Sequence, residues 1–490
     1  MIIEILGAKM LAPYVGTSHF VWTAQIAVTL VALAVGYYFG GRLVDQAPKL
    51  SWIYGCILAA AVYLMAAVTA VRPITYACLA FRLALGSLLA STALFFVPLA
   101  LLAMVGPFFI RILTASMAEV GGNIGRLTAV STFGSFAGTV LIGYVLIPFL
   151  PNSITMGLTS LLLVLVAVSY FVGWQRPFRS KTPVAAAALT QVGLLVLAFV
   201  WQRGSHFTEA RELYRANSNF GLVQVLENQA GDRRFYLNDF LIQNIYDPQK
   251  KKSLALFTYA LHGLARAYTP HLGRALCIGL GVGIVPSELA REGVRVDVVE
   301  INPAVVPVAA KYFDCELSRL HVEIGDGRYY LNQSTNQYDT VIIDAFLGDS
   351  SPSHLMTAEA FQSVKRLLVP TGTLVMNTFG EFQAGKDFMM ASLEKTLESV
   401  FPSVRIHASG NGNVFFVASP DPGLKMVAAP DFEEVHPVCR VDVMAAFNGI
   451  VHADLADGIV LSDDYNPVEF YDAATREEHR RRLALHMRTL

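Results

Sequence analysis

The chain has 490 residues, of which 54% are hydrophobic and only 15% are charged, and its formal net charge is −1. A chain this apolar exceeds the usual composition of soluble domains, so part of it is expected to lie in a membrane. The balanced charge and the lack of a basic motif with interleaved aromatic residues exclude nucleic acid as the expected partner.

The first 201 residues carry apolar runs of bilayer-spanning length, in which charges occur singly. A helix needs roughly 20 residues to cross a hydrocarbon core of about 30 Å. Such runs lie at 19–41, 52–72, 123–150, 153–173 and 183–201. The stretch 75–113 is longer than one ordinary span, and Gly86, Pro98 and Pro107 either split it or kink it. The pattern predicts a helical membrane domain over residues 1–201 with six to eight helices.

The pattern changes after residue 201, where charges become dense and apolar runs become short. Residues 202–217 are interpreted as a linker or surface helix. Residues 218–270 alternate apolar and polar side chains around an "AGD" turn and end in a helix-like stretch, which predicts a small antiparallel sheet followed by a helix. Residues 271–490 alternate strand-like and helix-like runs, which predicts a doubly wound, mostly parallel, Rossmann-like sheet. Its strands are expected at 274–279, 294–300, 319–324, 339–344 and 371–377.

A glycine-rich loop follows the first of these strands, in "RALCIGLGVGIVPSELAREG". Glycine is needed where a backbone turns sharply and must approach a ligand without a Cβ in the way, which applies to Gly279, Gly281 and Gly283. Glu300 ends the next strand, where a carboxylate can accept both hydroxyl groups of a ribose. These features indicate a nucleoside site, and NAD or S-adenosylmethionine would each fit them.

Two more acids follow the third and fourth strands. Asp326, in "EIGDGRYYL", stands where a carboxylate can accept a hydrogen bond from an adenine amino group. Asp344, in "YDTVIIDAF", ends the fourth strand, although an acid there could instead cap a helix. Because the carboxyl ends of parallel strands meet at one edge of a sheet, these acids and the glycine loop are expected to share a site.

On these motifs, residues from about 218 to 418 resemble the spermidine synthase family of polyamine aminopropyltransferases. The glycine loop and "VVEIN" are similar to the family's cofactor loop with its acid, and "GDGRYYL", with Asp326 and Gly327, is similar to its adenine-side motif. Asp344 stands where the family's catalytic aspartate opens a D-S-S-D-P motif. The resemblance implies that Asp344 contacts the cofactor and accepts a proton from an amine substrate.

Other positions resemble the family less closely or differ from it. "NDFLIQ" (Asp239, Gln243) is similar to an L-D-G-x-x-Q element that reaches toward the amino-acid-derived chain of the cofactor. "KKKSLALFTYALH" has lysines where the family has amine-binding acids, and "DAFLGD" lacks the second acid of its motif, for which Asp349 is a substitute. The further candidates on the substrate side are Tyr259, His262 and Asp464, the last of them in "LSDDYNPVEFY".

The membrane half, with "LAPYVGTSHFVWT" and "ALAVGYYFGGRLVD", resembles the helices of membrane-fused spermidine-synthase-like proteins. The resemblance implies S-adenosylmethionine or its decarboxylated form as substrate, aminopropyl transfer to an amine with release of 5′-methylthioadenosine, and pairing into a homodimer. Three alternatives stay open. They are a lyase that converts S-adenosylmethionine into methylthioadenosine and homoserine lactone, a methyltransferase, and a transporter with a nucleoside-sensing domain.

The five cysteines lie far apart and form no CxxC pair, so neither a disulfide framework nor a metal site is expected. The basic loop "WQRPFRSK" and the uncertain number of helices leave the orientation in the membrane open. Since both sulfonium nucleosides are made in the cytoplasm, we expect a multi-pass membrane protein whose catalytic domain is cytoplasmic.

Overall fold

The fold is that of a computed structural model. Contacts divide the chain into two compact units, Met1–His206 and Phe207–Leu490. The apolar run expected at 183–201 falls largely outside the described residues. The structure describes residues 1–16, 19–114, 116, 120–173, 189–190, 192–193, 196, 210–346, 352–383, 385–410, 412–428 and 430–471.

The first unit consists of helices in its described part. Five of them, from α2 to α6, are long and apolar enough to cross a membrane. The first, α1, has 14 residues and buries Leu6 and Leu11 completely. The helices are α1 (Ile2–Val15), α2 (His19–Gln46), α3 (Leu50–Cys78), α4 (Leu83–Leu113), α5 (Val120–Phe149) and α6 (Asn152–Gly173).

The long stretch 75–113 divides at a turn after Cys78, and the rest of it forms the single helix α4, whose hydrogen-bond pattern is irregular at two places. A π-helical segment occupies Thr92–Phe96, directly before Pro98, and a turn at Met104 precedes Pro107. Proline has no N–H to donate to the preceding turn, so a helix that contains it widens or bends there. The irregular turns therefore lie close to Pro98 and Pro107, two of the residues at which the sequence analysis expects a split or a kink, whereas Gly86 lies inside the helix.

The second unit begins with a small antiparallel sheet in the order β1-β2-β3-β4-β5. Strand β1 occupies residues that the sequence analysis assigns to a linker or surface helix. Among the described residues it pairs with β2 alone, as an edge strand, and it carries charged side chains, which conceal the alternation of a strand. The strands are β1 (Ala210–Ser218), β2 (Gly221–Asn228), β3 (Arg234–Asn238), β4 (Leu241–Asp247) and β5 (Lys252–Ser253).

A mixed sheet of eight strands follows, in the order β13-β11-β12-β10-β9-β6-β7-β8. Strands β6 to β10 are parallel to one another, and β11 to β13 pair antiparallel at one side. All five predicted strands are present, which confirms the Rossmann-like fold. The strands are β6 (Arg274–Ile278), β7 (Arg295–Glu300), β8 (Leu320–Ile324), β9 (Tyr338–Ile343), β10 (Leu368–Phe379), β11 (Ser403–Ala408), β12 (Asn413–Ser419) and β13 (Ile450–Val451).

Helices connect these strands, and two hydrophobic clusters join them to the sheet. Strand β6 pairs with β7 on one side and β9 on the other, so the strand order reverses at β6. Ligands of such sheets bind outside the carboxyl ends of the strands at this reversal. The helices are α7 (Leu256–Tyr268), α8 (Ile284–Arg291), α9 (Val305–Tyr312), α10 (Gly327–Gln333), α11 (Ala358–Leu367), α12 (Phe388–Val400), α13 (Pro437–Asn448) and α14 (Val468–Tyr471).

Candidate active site

The glycine loop connects β6 to α8, and its three glycines all have positive φ angles, +98° at Gly279, +54° at Gly281 and +78° at Gly283. A Cβ on Gly279 would stand 2.4 Å from the carbonyl oxygen of Asp344, and one on Gly283 would stand 2.3 Å from Sγ of Cys315. A Cβ on Gly281 would meet no described atom within 4 Å. Two glycines therefore permit close packing, and the third leaves the backbone open to a ligand.

Glu300 connects the end of β7 to the glycine loop. Its carboxylate accepts hydrogen bonds from the backbone N–H groups of Leu280 and Asn302, each at 2.8 Å. Burial raises the pKa of Glu300, and the backbone donors oppose that rise. In the described part of the chain no cation forms a salt bridge with this carboxylate. Its charge is therefore held by peptide dipoles at the position expected for a ribose.

Asp344 follows β9 directly, beside the glycine loop. The side-chain amide of Asn377 donates a 2.9 Å hydrogen bond to its Oδ1, and Asn413 donates in turn to Oδ1 of Asn377 at 3.2 Å. Burial raises the pKa of Asp344 to about 6, although the Asn377 amide acts to lower it. A carboxyl group with this pKa is ionised at neutral pH and still basic enough to accept a proton.

Asp326 begins helix α10 and caps its N terminus, with Oδ1 accepting from the backbone N–H of Tyr329 at 2.9 Å. The other oxygen, Oδ2, lies 3.4 Å from Nε2 of His354. A Cβ on Gly327 would stand 2.5 Å from Cγ2 of Ile278 in β6, so this turn packs closely on the strand that precedes the glycine loop. Asp326 therefore caps a helix, which is the alternative role that the sequence analysis gives to Asp344.

The small sheet packs against the glycine loop and α9 through a hydrophobic cluster that includes Tyr236 and Val282. Burial raises the pKa of Tyr236, and the negative charges of Glu300 and Asp239 raise it further. Asp239 has a φ of +46°, and its Oδ1 accepts from the backbone N–H of Leu222 at 2.9 Å. Gln243 lies in β4 at a register shift opposite β3.

The structure gives the surroundings of three of the four further substrate-side candidates. The Tyr259 hydroxyl donates to the carbonyl oxygen of Ser253 at 2.8 Å and so joins α7 to β5. His262 lies 3.0 Å from Glu292, just past the C-terminal end of α8, whereas the glycine loop lies at the N-terminal end. The structure therefore does not bring His262 to the loop. Asp464 is exposed, and Asp349 lies outside the described residues.

The sequence analysis misses two side chains that hold the site together. Asn377 interrupts the apolar residues of "LVMNTF" with a side-chain amide, which is a signal that could have identified it. Arg328 follows Gly327, and its guanidinium group donates to the carbonyl oxygen of His354, to Oγ1 of Thr357 and to Oδ2 of Asp463. No local pattern in the sequence indicates these partners.

The lysines that replace amine-binding acids each have an acidic partner. Nζ of Lys250 lies 3.9 Å from Asp247, that of Lys251 lies 4.0 Å from Asp314, and that of Lys252 lies 3.1 Å from Glu434. These pairs compensate the lysine charges. Among the described residues, no group of three or more His, Cys, Asp or Glu side chains could hold a metal ion.

Comparison with known proteins identifies residues 256–409 as a match to the spermine/spermidine synthase domain. The polyamine aminopropyltransferase of Vibrio vulnificus is 41% identical over 140 residues, which is 27% of this chain and 46% of that protein. An N-terminal histidine N-methyltransferase of Emericella nidulans is 33% identical over 30% of this chain and 26% of its own length. A probable polyamine aminopropyl transferase of Bifidobacterium longum is 27% identical over 44% of this chain and 47% of its own length.

The chain thus spans less than half the length of each of these curated relatives. The matched segment begins with α7 and runs through β11, so it includes the glycine loop and the three acids at the strand ends. Residues 256–409 are therefore similar to a spermine/spermidine synthase domain, and the same chain carries a unit of long apolar helices.

Proposed function

We propose that this chain is an aminopropyltransferase that uses decarboxylated S-adenosylmethionine and an amine, and that its helical unit lies in a membrane. The position of Asp344 carries the proposal. Its carboxyl group has a pKa of about 6 and follows β9, and its backbone abuts Gly279 of the glycine loop. The match of residues 256–409 to the synthase domain supports the same reaction.

The chemistry requires little of the protein beyond positioning, because a positively charged sulfur is already a good leaving group. The neutral amine nitrogen attacks the propyl carbon bonded to sulfur, so a C–N bond forms while the C–S bond breaks. Methylthioadenosine leaves with the electron pair on sulfur. The nitrogen loses its extra proton to the Asp344 carboxylate, which the Asn377 amide orients.

The other residues of the edge would bind the nucleoside. Glu300 would accept hydrogen bonds from the ribose hydroxyl groups, and Asp326 would accept one from the adenine amino group. Asp239 and Gln243, on the sheet that packs beside the loop, are proposed to face the aminopropyl end. Since Glu300 and Asp344 carry their charges without a cationic partner in the described residues, the edge would attract a sulfonium cation.

We propose that helices α2 to α6 span a membrane and that the catalytic unit faces the cytoplasm, where the sulfonium nucleosides are made. The lengths and apolar composition of these helices support the first statement. A reporter enzyme fused after Leu490 should be active only on the cytoplasmic side. Activity confined to the outer face would remove the supply of substrate and defeat the proposal. Light scattering of the detergent-purified chain would test the homodimer that the resemblance implies.

The activity itself is tested by incubating the purified full chain with S-adenosylmethionine or with its decarboxylated form, each with and without putrescine or spermidine. Methylthioadenosine and S-adenosylhomocysteine are then measured by chromatography. We expect amine-dependent release of methylthioadenosine from the decarboxylated form. Amine-independent release from S-adenosylmethionine would instead identify a lyase, and S-adenosylhomocysteine would identify a methyltransferase. Binding without turnover would favour a sensor or transporter.

A further inference from the structure

The turn that carries Asp326 faces a loop from a later part of the chain, residues 352–357. His354, in that loop, places Nε2 3.4 Å from Oδ2 of Asp326, and both side chains are about half exposed. The first oxygen of Asp326 is already engaged as the cap of α10. The oxygen that remains for a base is therefore the one that His354 faces.

Arg328 holds the loop in this position from one side. Its side chain is only 15% exposed, and it donates to the carbonyl oxygen of His354 at 2.9 Å and to Oγ1 of Thr357 at 3.0 Å. Asp463 completes the arrangement, because its Oδ2 accepts from Arg328 at 2.7 Å and its Oδ1 accepts from the Thr357 hydroxyl group at 2.6 Å. A bonded pair of this kind fixes both orientation and charge.

The segment around Asp463, residues 461–466, is bonded to the loop at further points, and we call it the strap. The backbone N–H of Ala358 donates to the carbonyl oxygen of Leu461 at 2.9 Å. The side-chain amide of Asn466 donates to the carbonyl oxygen of Ser353 at 2.9 Å. The strap is therefore hydrogen-bonded to residues on both sides of His354.

We infer that Asp463 is a positioning residue for base recognition, acting through Arg328 to hold His354 against Asp326. This inference rests on the proposed assignment of a nucleoside to this edge. A carboxylate held in place accepts from a base with an exocyclic amino group and repels a base with a carbonyl oxygen at the same position. Once the strap is loosened or the His354 ring is removed, Oδ2 of Asp326 is no longer held toward the base, so it accepts less well from the amino group and the discrimination falls.

The test uses the full chain in detergent and two probes, 5′-methylthioadenosine and 5′-methylthioinosine, with binding measured by calorimetry. We expect Asp463→Asn to weaken binding of methylthioadenosine about tenfold while methylthioinosine binding changes little. His354→Ala should lower the ratio of the two affinities similarly, and the double variant should lower it no further. Asp463→Glu should retain most of the ratio. The matched control is Asp457→Asn, an exposed aspartate upstream of the strap, which should change neither affinity.

Kinetics separate positioning from a merely structural role. In Asp463→Asn the KM for the nucleoside should rise while kcat stays within about twofold of the parent value. An unchanged affinity ratio, or an equal loss for both probes accompanied by a lower melting temperature, would overturn the inference. A parent chain that binds methylthioadenosine without turning over would defeat the proposed transfer, and the affinity ratio would still decide the role of Asp463.

Discussion

Strand β7 carries two buried acids three residues apart, Asp297 and Glu300, and they have opposite surroundings. Asp297 is bonded to Arg274 at 2.8 Å and to the Tyr338 hydroxyl group at 2.8 Å, and His321 lies 3.4 Å away. Glu300, at the carboxyl end of the strand, accepts from backbone N–H groups instead. The first acid is neutralised inside the sheet, and the second keeps a net charge at the edge.

The difference shows how one strand can supply both a structural carboxylate and the carboxylate that is proposed to bind the nucleoside. Burying a charge is costly unless donors compensate it, and both kinds of donor achieve that. A guanidinium partner also cancels the charge. Peptide and amide dipoles, as at Glu300 and Asp344, stabilise the ion but leave its field available to a cationic ligand. The edge is therefore suited to binding because its donors are neutral.

The largest expected effect comes from removing the charge of Asp344. Asp344→Asn should lower the transfer rate by roughly 10²- to 10⁴-fold, the usual contribution of a general base. Thermal stability should stay equal or rise at pH 7, because the pKa of Asp344 is raised by burial in the folded protein and its ionised form is unfavourable there. The control is Asp339→Asn, at the other end of β9. Full activity in Asp344→Asn would exclude this aspartate as the base.

The structural role of Asp297, the cation-paired acid of β7, is tested by Arg274→Met. This substitution leaves the buried carboxylate of Asp297 without its cation. We expect a loss of about 3–5 kcal/mol in the free energy of unfolding, as for other broken buried pairs. Nucleoside affinity measured on the folded fraction should be unchanged, because Arg274 begins β6 at the far edge of the sheet. A selective loss of affinity with normal stability would show that the two edges are not independent.

A smaller effect is expected from the glycine loop. Gly279→Ala places a Cβ 2.4 Å from the Asp344 carbonyl oxygen at a φ of +98°, so either the loop or the end of β9 must move. We expect at least a tenfold weaker affinity for methylthioadenosine, since a left-handed residue with a Cβ costs about 1–2 kcal/mol before the clash is counted. Gly293→Ala is the matched comparison, because it has a similar φ of +88°, meets no described atom within 4 Å and lies past the C-terminal end of α8, away from the loop. Equal effects of the two substitutions in calorimetry would contradict this packing argument.

The smallest effect is a shift in pH dependence. Asn377→Leu removes the amide that lowers the pKa of Asp344, so the pKa should rise further above its value of about 6. Because the ionised form is the active one, the acidic limb of the kcat profile should move to higher pH, by about one unit for one hydrogen bond to a charged group. Asn413→Ala should shift it less in the same direction. A shift toward lower pH would contradict the assignment of this limb to Asp344.

The strand ends were predictable from the sequence because each parallel strand is a short apolar run bounded by glycine or an acid. That pattern locates Gly279, Glu300, Asp326 and Asp344 without any knowledge of packing. The same pattern predicts a parallel sheet, since such strands need no alternation when both faces are covered, and the strand pairing confirms it. Their roles in binding and catalysis stay predictions.

The remaining features depend on packing that the sequence does not encode locally. Arg328 and Asp463 are 135 positions apart, and only the folded chain brings them within 2.7 Å. His262 lies within one helical turn of Tyr259 in α7, which made both residues candidates for the site. The packing of α7 against α8 instead places His262 beside Glu292. Strand β1 was hidden because an edge strand tolerates charges on both faces.

The neutral donors at the edge also affect how tightly the protein would bind its product compared with its substrate. In the proposed reaction the nucleoside enters as a sulfonium cation and leaves as uncharged methylthioadenosine. A carboxylate without a counter-ion attracts the first form by Coulomb forces and the second only by hydrogen bonds. The protein would therefore release methylthioadenosine more readily than it releases the sulfonium substrate. Accumulated methylthioadenosine would be a weak competitive inhibitor at this edge of the sheet.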